Sequence, residues 1–168
     1  MVYGDVSAGL ALSRAAGWNQ TQEDWELFLK LSPKGCVVAV DDDGQVRGTV
    51  ATVRYQNHFS WIGMVLVDAA VQRRGIGIQL LREALHILHE EDTVKLDATP
   101  AGRNIYIQLD FVDEYELVRM ERPEGSASPA HGVEDVRLIT GDDMPRLLEL
   151  DRIAFGADRA AALFGWMF

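Results

Sequence analysis

The chain has 168 residues, 48% of them hydrophobic and 25% charged, which is typical of a globular protein with a buried core. Its formal net charge of −10 argues against a protein that binds nucleic acid or an anionic membrane surface through its overall charge. The single cysteine, Cys36, excludes a disulfide framework, and the lack of a signal pattern or a membrane-length apolar run predicts a cytoplasmic protein without membrane contact.

Two short helices are expected first. Residues 10–17 have a helical pattern, and a second helix begins at Thr21, where Asp24 three residues later resembles a capping box. Two β-rich runs follow, Cys36–Val40 and Val46–Tyr55. The sequence DDDG between them contains an Asp-Gly pair, which predicts a hairpin.

The middle of the chain predicts a buried strand and an amphipathic helix. Residues 60–68, SWIGMVLVD, form a nearly continuous apolar run, which is typical of a central strand covered on both faces. The helix that follows ends near residues 89–92. Its apolar side chains recur at a spacing of three or four residues, at Ile78, Leu81, Leu85 and Leu88.

Three further elements complete this part. Residues 94–98 predict a strand, and Thr99 and Pro100 suit the N-cap and the first turn of a helix within residues 100–111. Residues 115–122 predict a closing strand. The resulting order is that of an α/β protein in which only the later strands can be parallel.

The composition changes after residue 122. Residues rich in Pro, Gly, Ser and Ala indicate a linker at 123–134, and residues 135–168 resemble the beginning of the chain at an offset of 138. The matched pairs are Asp143 with Asp5, Leu148 with Leu10, Leu150 with Leu12, Arg152 with Arg14, and Ala154 with Ala16. We interpret this segment as the incomplete start of a second, related domain; the alternative is chance similarity between two short amphipathic helices.

The stretch VQRRGIGIQLL places two glycines and two arginines at a helix start. Glycines at a strand-to-helix turn let the backbone approach an anion, and arginines add charge-assisted hydrogen bonds, so a pyrophosphate is the natural ligand. The dinucleotide fingerprint would need a third glycine where the chain has Leu80, and the Lys-Ser/Thr of a Walker loop is missing.

These residues resemble the GNAT superfamily of acyl-CoA N-acyltransferases. Residues 72–77, QRRGIG, are similar to its Q/R-x-x-G-x-G/A pyrophosphate loop, and residues 106–111, YIQLDF, to its LYxxLGF motif; IGMVLVD, GWNQT and DATPAGR stand at matching places. The resemblance implies a mixed, mostly antiparallel sheet flanked by helices and splayed at the family's fourth and fifth strands. It also implies a GNAT domain at residues 1–122, with the start of a second GNAT-like domain at 135–168.

The resemblance further implies transfer of an acetyl group from acetyl-CoA, the cosubstrate, to a primary amine of a small molecule or a protein. Tyr106 would be the general acid for the leaving thiolate. Contact with the amine acceptor is expected from Trp18, Asn19 and Trp25, since the first two helices border the acceptor pocket in this family. The residues expected to bind the cosubstrate are Met64, Val65, Leu66, Val67, Gln72, Arg73, Arg74, Gly75, Ile76, Gly77, Ile78 and Thr99.

The general base stays open between His58 and Asp97, each of which can equally be a solvated side chain. His86 and His89 are three residues apart on a helix, but a solvated helix end is the better interpretation and no metal is expected. Asp110 stands where the LYxxLGF motif has glycine. Two alternatives therefore accompany the enzyme: a CoA-binding or sensing module whose chemistry has lapsed, and an unrelated phosphate-binding domain.

The end of the chain is rich in large apolar side chains without a predicted sheet to cover them. We expect this segment to dock on the first domain, to form a homo-oligomer, or to be poorly ordered. The residues concerned are Leu147, Leu148, Leu150, Ile153, Phe155, Leu163, Phe164, Trp166 and Phe168.

Overall fold

The computed structural model describes residues 1–56, 59–122 and 136–167. It divides into two compact units. One comprises Met1–Asp97 with Leu150–Phe168, and the other comprises Ala98–Glu149. The linker prediction at 123–134 lies outside the described residues.

The first unit is built on a four-stranded mixed sheet. Its strands are β1 (Cys36–Val40), β2 (Val46–Tyr55), β3 (Phe59–Val67) and β4 (Val94–Leu96), in the spatial order β1-β2-β3-β4. The first two pairings are antiparallel and the third is parallel. The α-helices in the described residues are α1 (Val6–Ala15), α2 (Gln22–Leu31), α3 (Ile76–Ile87), α4 (Pro100–Ile107), α5 (Met144–Phe155) and α6 (Ala160–Met167). The predicted fold class, α/β with a mostly antiparallel sheet, is confirmed.

Helices cover both faces of the sheet. Ala51 of β2 joins a core cluster with residues of α1 and α2, among them Trp25. Gly48, three positions earlier, lies against α3, where an added Cβ would come within 2.9 Å of Leu80 Cδ1. Because side chains three positions apart in a strand point to opposite faces, the α1–α2 pair and α3 lie on opposite sides. The unbroken burial of β2 over residues 48–53 and the apolar run of β3 reflect this double cover.

Local signals in the sequence set several boundaries. The Thr21 hydroxyl accepts a hydrogen bond from the Asp24 amide at 3.3 Å, and Asp24 Oδ2 accepts one from the Thr21 amide at 2.8 Å, which is the predicted capping box. At the β1–β2 hairpin, Asp41 Oδ1 accepts from the amides of Asp43 and Gln45, and Gly44 has φ +75°. Both predictions are confirmed.

The closing strand predicted at residues 115–122 is wrong, because residues 112–122 have no regular secondary structure. The alternation of polar and apolar residues there satisfies the local requirement for a strand, but a strand is stable only when its backbone bonds to a neighbour. In the described chain the sheet ends at β4, which is three residues long and therefore shorter than the predicted strand at 94–98.

Part of the C-terminal segment docks within the first unit. The Phe155 ring lies 4.9 Å from that of Tyr55 and 5.3 Å from that of Phe59, centroid to centroid. The Arg159 guanidinium lies over the Phe155 ring, 4.1 Å from its centroid, and forms an ion pair with Asp151 at 2.6 Å. Docking is therefore the outcome seen for Phe155, whereas a homo-oligomer stays a prediction.

The internal similarity extends to local geometry. The Val2 amide donates to Asp5 Oδ2 at 2.8 Å at the start of the first helical segment. The Thr140 amide donates to Asp143 Oδ2, also at 2.8 Å, 138 positions later. A shared capping geometry at the predicted offset favours a common origin of the two segments, and the second domain stays a prediction.

No helix in the described ranges combines the length and the hydropathy needed to cross a bilayer.

We expect Cys36 to resist thiol reagents in the folded protein. Burial raises the pKa of its thiol to about 11, which leaves about one molecule in 10³ as the reactive thiolate at pH 8, compared with roughly one in four for a free cysteine. Alkylation by iodoacetamide at pH 8 should therefore be at least about 10²-fold slower in the native chain than in 6 M urea. Equal rates in the two conditions, with native circular dichroism in the absence of urea, would contradict the burial of this residue.

Candidate functional site

The strands β3 and β4 part after a short parallel ladder. Only Ser60, Trp61 and Ile62 of β3 pair with β4, opposite Val94, Lys95 and Leu96. The strand β3 continues for five more residues, from Gly63 to Val67. Within the described chain this part of β3 has a free edge, which can pair with an extended, amide-containing ligand as a further strand would.

A β-bulge lies at the beginning of this free edge. Thr49 pairs with Leu66 and Ala51 with Gly63, so Met64 and Val65 of β3 stand opposite Val50 alone. Met64 adopts φ +52°, and its carbonyl accepts a hydrogen bond from the Thr49 hydroxyl at 2.8 Å. A bulge bends its strand and releases one residue from the ladder, so it supports the divergence from β4 and frees backbone groups at Met64 and Val65.

A tight turn connects the end of β3 to the glycine-rich loop. Asp68 Oδ1 accepts from the Ala70 amide at 3.0 Å and opens a 3-10 turn over Ala69–Val71. The Gln72 side-chain amide donates back to the Val67 carbonyl at 3.1 Å. These two bonds fix the loop against the last residue of the free strand edge.

The loop ends at a helix whose first amides have no side-chain cap. Gly75 is the N-cap of α3, with φ +83° and without a side-chain acceptor, and Arg73 also lies in the left-handed region at φ +61°. The amides of the first helical turn and the helix dipole therefore favour an anion at this point. Arg73 and Arg74 are exposed and form no ion pair with the described residues, so their charges add to this local positive potential.

Gly77 brings the first turn of α3 close to the strand. A Cβ at Gly77 would meet Val67 Cγ2 at 3.7 Å, which is an ordinary packing distance. The predicted cosubstrate-binding residues at 64–67 and 72–78 thus form one continuous surface, from the free edge of β3 to the N-terminus of α3.

Two predicted site residues belong to the second unit. Thr99 is the N-cap of α4, and its hydroxyl accepts from the Gly102 amide at 3.2 Å. Tyr106 lies in the last turn of α4, with its ring against Phe111 at 6.1 Å. A Cβ at Gly102 would come within 3.0 Å of the Tyr106 ring, so glycine at this position makes room for the ring.

Burial raises the pKa of the Tyr106 hydroxyl. The phenol therefore stays protonated at neutral pH, as a general acid must. Asp110, at the position of the motif glycine, adopts φ +65°. Aspartate is one of the few residues that enter the left-handed region at moderate cost, so the motif keeps the backbone conformation for which glycine is usual.

The three predicted acceptor residues differ in exposure. Asn19 is exposed and Trp18 is half-buried against the core. Trp25 has no exposed surface; its indole N–H donates to the Ser13 hydroxyl at 3.4 Å and its ring lies against Gly9. In this conformation Trp25 holds α2 against α1 and has no surface free for an acceptor.

Of the two candidate bases, Asp97 directly follows β4, and loss of hydration raises its pKa. His58 lies outside the described residues.

His86 and His89 are exposed, and the ring nitrogen Nδ1 of His89 lies 2.9 Å from the His86 carbonyl. Residues 1–56, 59–122 and 136–167 contain no cluster of three or more His, Cys, Asp or Glu residues suited to a metal ion.

Sequence reasoning missed two residues that border this surface. The Thr49 hydroxyl donates to the Met64 carbonyl in the bulge. Arg47 joins Asp41 to Asp68 at the start of the loop through two hydrogen bonds, each of 2.7 Å. Their roles depend on strand register, since Arg47 and Asp68 are 21 positions apart and no local pattern links them.

Comparisons with known proteins agree with this geometry. The profile of the acetyltransferase (GNAT) family matches residues 10–109. A Pyrococcus horikoshii protein that bears an acetyltransferase name has 32% sequence identity and a TM-score of 0.77 over 99% of this chain. The chain spans 59% of the length of that protein. No curated protein matches the chain significantly.

More distant structures share the fold alone. A Mycobacterium tuberculosis protein crystallised with CoA has 19% identity and a TM-score of 0.58, over 68% of this chain and 70% of its own. Glucosamine-6-phosphate N-acetyltransferase from Arabidopsis thaliana has 14% identity and a TM-score of 0.57, over 74% of this chain and 95% of its own. The family profile and the Pyrococcus horikoshii relative together identify this chain as a member of the GNAT acetyltransferase family.

Proposed function

We propose that this chain is an N-acetyltransferase that transfers the acetyl group of acetyl-CoA to a primary amine of a small molecule or a protein. The observation that carries the proposal is the continuity between the free edge of β3 and the uncapped N-terminus of α3. A strand edge offers bonds to the amides of a pantetheine arm, and the helix start offers bonds to a diphosphate. Few ligands need both at adjoining places.

The loop residues have distinct parts in this proposal. The backbone amides from Arg73 to Ile78 bind the diphosphate, and the two arginines add charge-assisted bonds worth roughly 1.5–3 kcal/mol each. Residues 64–67 pair with the pantetheine arm. A backbone N–H freed by the bulge at Met64 or Val65 polarises the thioester carbonyl, where negative charge develops during acyl transfer.

Acyl transfer needs a neutral amine and a protonated leaving group. An alkylammonium with a pKa near 10.4 is neutral about once in 10³ at pH 7, a handicap of roughly 4–5 kcal/mol that a base must offset. We propose Asp97 or His58 for that base, and the raised pKa of Asp97 strengthens it as a proton acceptor. Tyr106 then supplies the proton to the departing thiolate.

Release of free thiol from acetyl-CoA, measured with a panel of small amines and amine-bearing peptides, tests the proposal directly. We expect turnover that depends on both acetyl-CoA and one class of amine. Tight binding of CoA in calorimetry without turnover for any amine would instead favour a module whose chemistry has lapsed. An absence of both binding and turnover would contradict the proposal altogether.

Tyr106→Phe is expected to lower kcat by about 10²-fold, within the usual range for a general acid, with little change in the Kd of CoA. The substitution removes the phenolic proton and keeps the ring that packs against Phe111. Tyr115→Phe, at an exposed tyrosine of the same unit, is the matched control. An unchanged kcat would assign Tyr106 to packing alone.

Gly75→Ala is expected to raise the Kd of CoA about tenfold, because a side chain at φ +83° costs about 1–2 kcal/mol and shifts the loop out of its binding conformation. Gly17→Ala is the control, since Gly17 has a similar φ of +72°, has open space for an added Cβ and lies outside the predicted cosubstrate-binding residues. Calorimetry on both variants checks the difference. Equal affinities in the two would argue against binding through the Gly75 turn.

A further inference from the structure

Arg47 connects two carboxylates that lie far apart in the sequence. Its Nε bonds to Asp41 Oδ2 at 2.7 Å and its Nη1 bonds to Asp68 Oδ2 at 2.7 Å. The Asp68 amide also donates to the Arg47 carbonyl at 2.8 Å. The side chains of all three residues are about one-third exposed or less. One guanidinium thus joins the β1–β2 hairpin to the end of β3.

Asp68 leads directly into the anion-binding loop. Its Oδ2 is held by Arg47, while its Oδ1 accepts from the Ala70 amide and sets the 3-10 turn that precedes Gln72. The rotation of one carboxylate therefore sets both the ion pair and the start of the loop. A planar guanidinium has donors at fixed angles, so it holds two separate carboxylates in a set geometry better than a lysine ammonium does.

The same network controls the local charge. A hydrogen bond from Arg47 lowers the pKa of Asp41, and hydrogen bonds from the Ala70 amide and then from Arg47 lower the pKa of Asp68, so both carboxylates are ionised at neutral pH. Asp41 and Asp68 alone would present a charge of about −2 beside the loop proposed to bind a diphosphate. Arg47 reduces the net charge of the three side chains to about −1. The chain has a net charge of −10, so the positive charge of Arg47 at this point matters for the local potential that an anionic ligand meets.

We propose that Arg47 is a positioning residue for the cosubstrate: it fixes Asp68 at the entrance of the loop and offsets the two carboxylates that would otherwise repel the diphosphate. This inference rests on the proposed function. A purely structural role in the β1–β2 hairpin is the competing explanation. The two differ in what happens when Arg47 and the charge of Asp68 are removed together.

The experiment measures the Kd of coenzyme A by calorimetry for the wild type, Arg47→Met, Arg47→Lys and the double variant Arg47→Met/Asp68→Asn. Asparagine keeps an Oδ1 acceptor for the Ala70 amide and loses the charge. We expect Arg47→Met to weaken binding about tenfold, since it removes a cation and leaves two unpaired carboxylates beside the anion. Arg152→Met, which removes an exposed cation without a described carboxylate partner, is the control and should leave the Kd unchanged.

The double variant decides between the two explanations. Recovery of at least threefold of the lost affinity, together with a smaller defect in Arg47→Lys, would support the proposal. A double variant as weak as Arg47→Met, or weaker, would overturn it, because a hairpin role is not restored by loss of the partner. If Arg47→Met does not fold, the Kd values of Arg47→Lys and of Asp68→Asn give the same decision. Only the proposal predicts that Asp68→Asn, which loses the carboxylate charge, binds CoA more tightly than Arg47→Lys does. Failure of the wild type to bind CoA would count against the proposed function, whereas equal binding by wild type and Arg47→Met would refute this inference alone.

Discussion

The candidate site depends on backbone groups at two adjoining places, which the described residues leave outside the β3–β4 ladder and without a side-chain helix cap. Most strands and helices satisfy their amides internally, because an unpaired polar group costs free energy when water is excluded. Here the ladder between β3 and β4 stops at Ile62, and α3 begins without a side-chain cap. The bulge at Met64 and the left-handed Gly75 create these openings, and the turn at Asp68 brings them into one surface.

The remaining packing keeps this surface rigid. The helices α1 and α2 cover one face of the sheet through Trp25, and α3 covers the other through Leu80, Leu81 and Ala84. Gly48 lets α3 approach β2 closely, and Gly9 does the same for the Trp25 ring. A strand edge can bind a ligand with little loss of conformational entropy only when the strands behind it are fixed. The buried core supplies that condition.

Local and global charge have opposite signs in this protein. The chain as a whole is acidic, and yet the segment from residue 72 to residue 78 carries two exposed arginines and a helix N-terminus. Such a contrast concentrates the attraction for an anion at one place and weakens it elsewhere, because screening at physiological salt limits each charge to about 8 Å. The paired carboxylates at Asp41 and Asp68 lie next to this segment and are offset by Arg47.

The sequence by itself determined the elements whose signals are local. The capping box at Thr21, the Asp-Gly hairpin, the N-cap at Thr99 and the glycine-rich loop each depend on residues within a few positions of one another, so short-range stereochemistry decides them. Tertiary structure decided the rest. The strand expected at residues 115–122 lacks a ladder partner, Trp25 is enclosed by α1, and Arg47 meets Asp68 only because β2 and β3 pair in one register. Burial, pairing and register depend on which distant segments come together, and no local pattern in the chain contains that information.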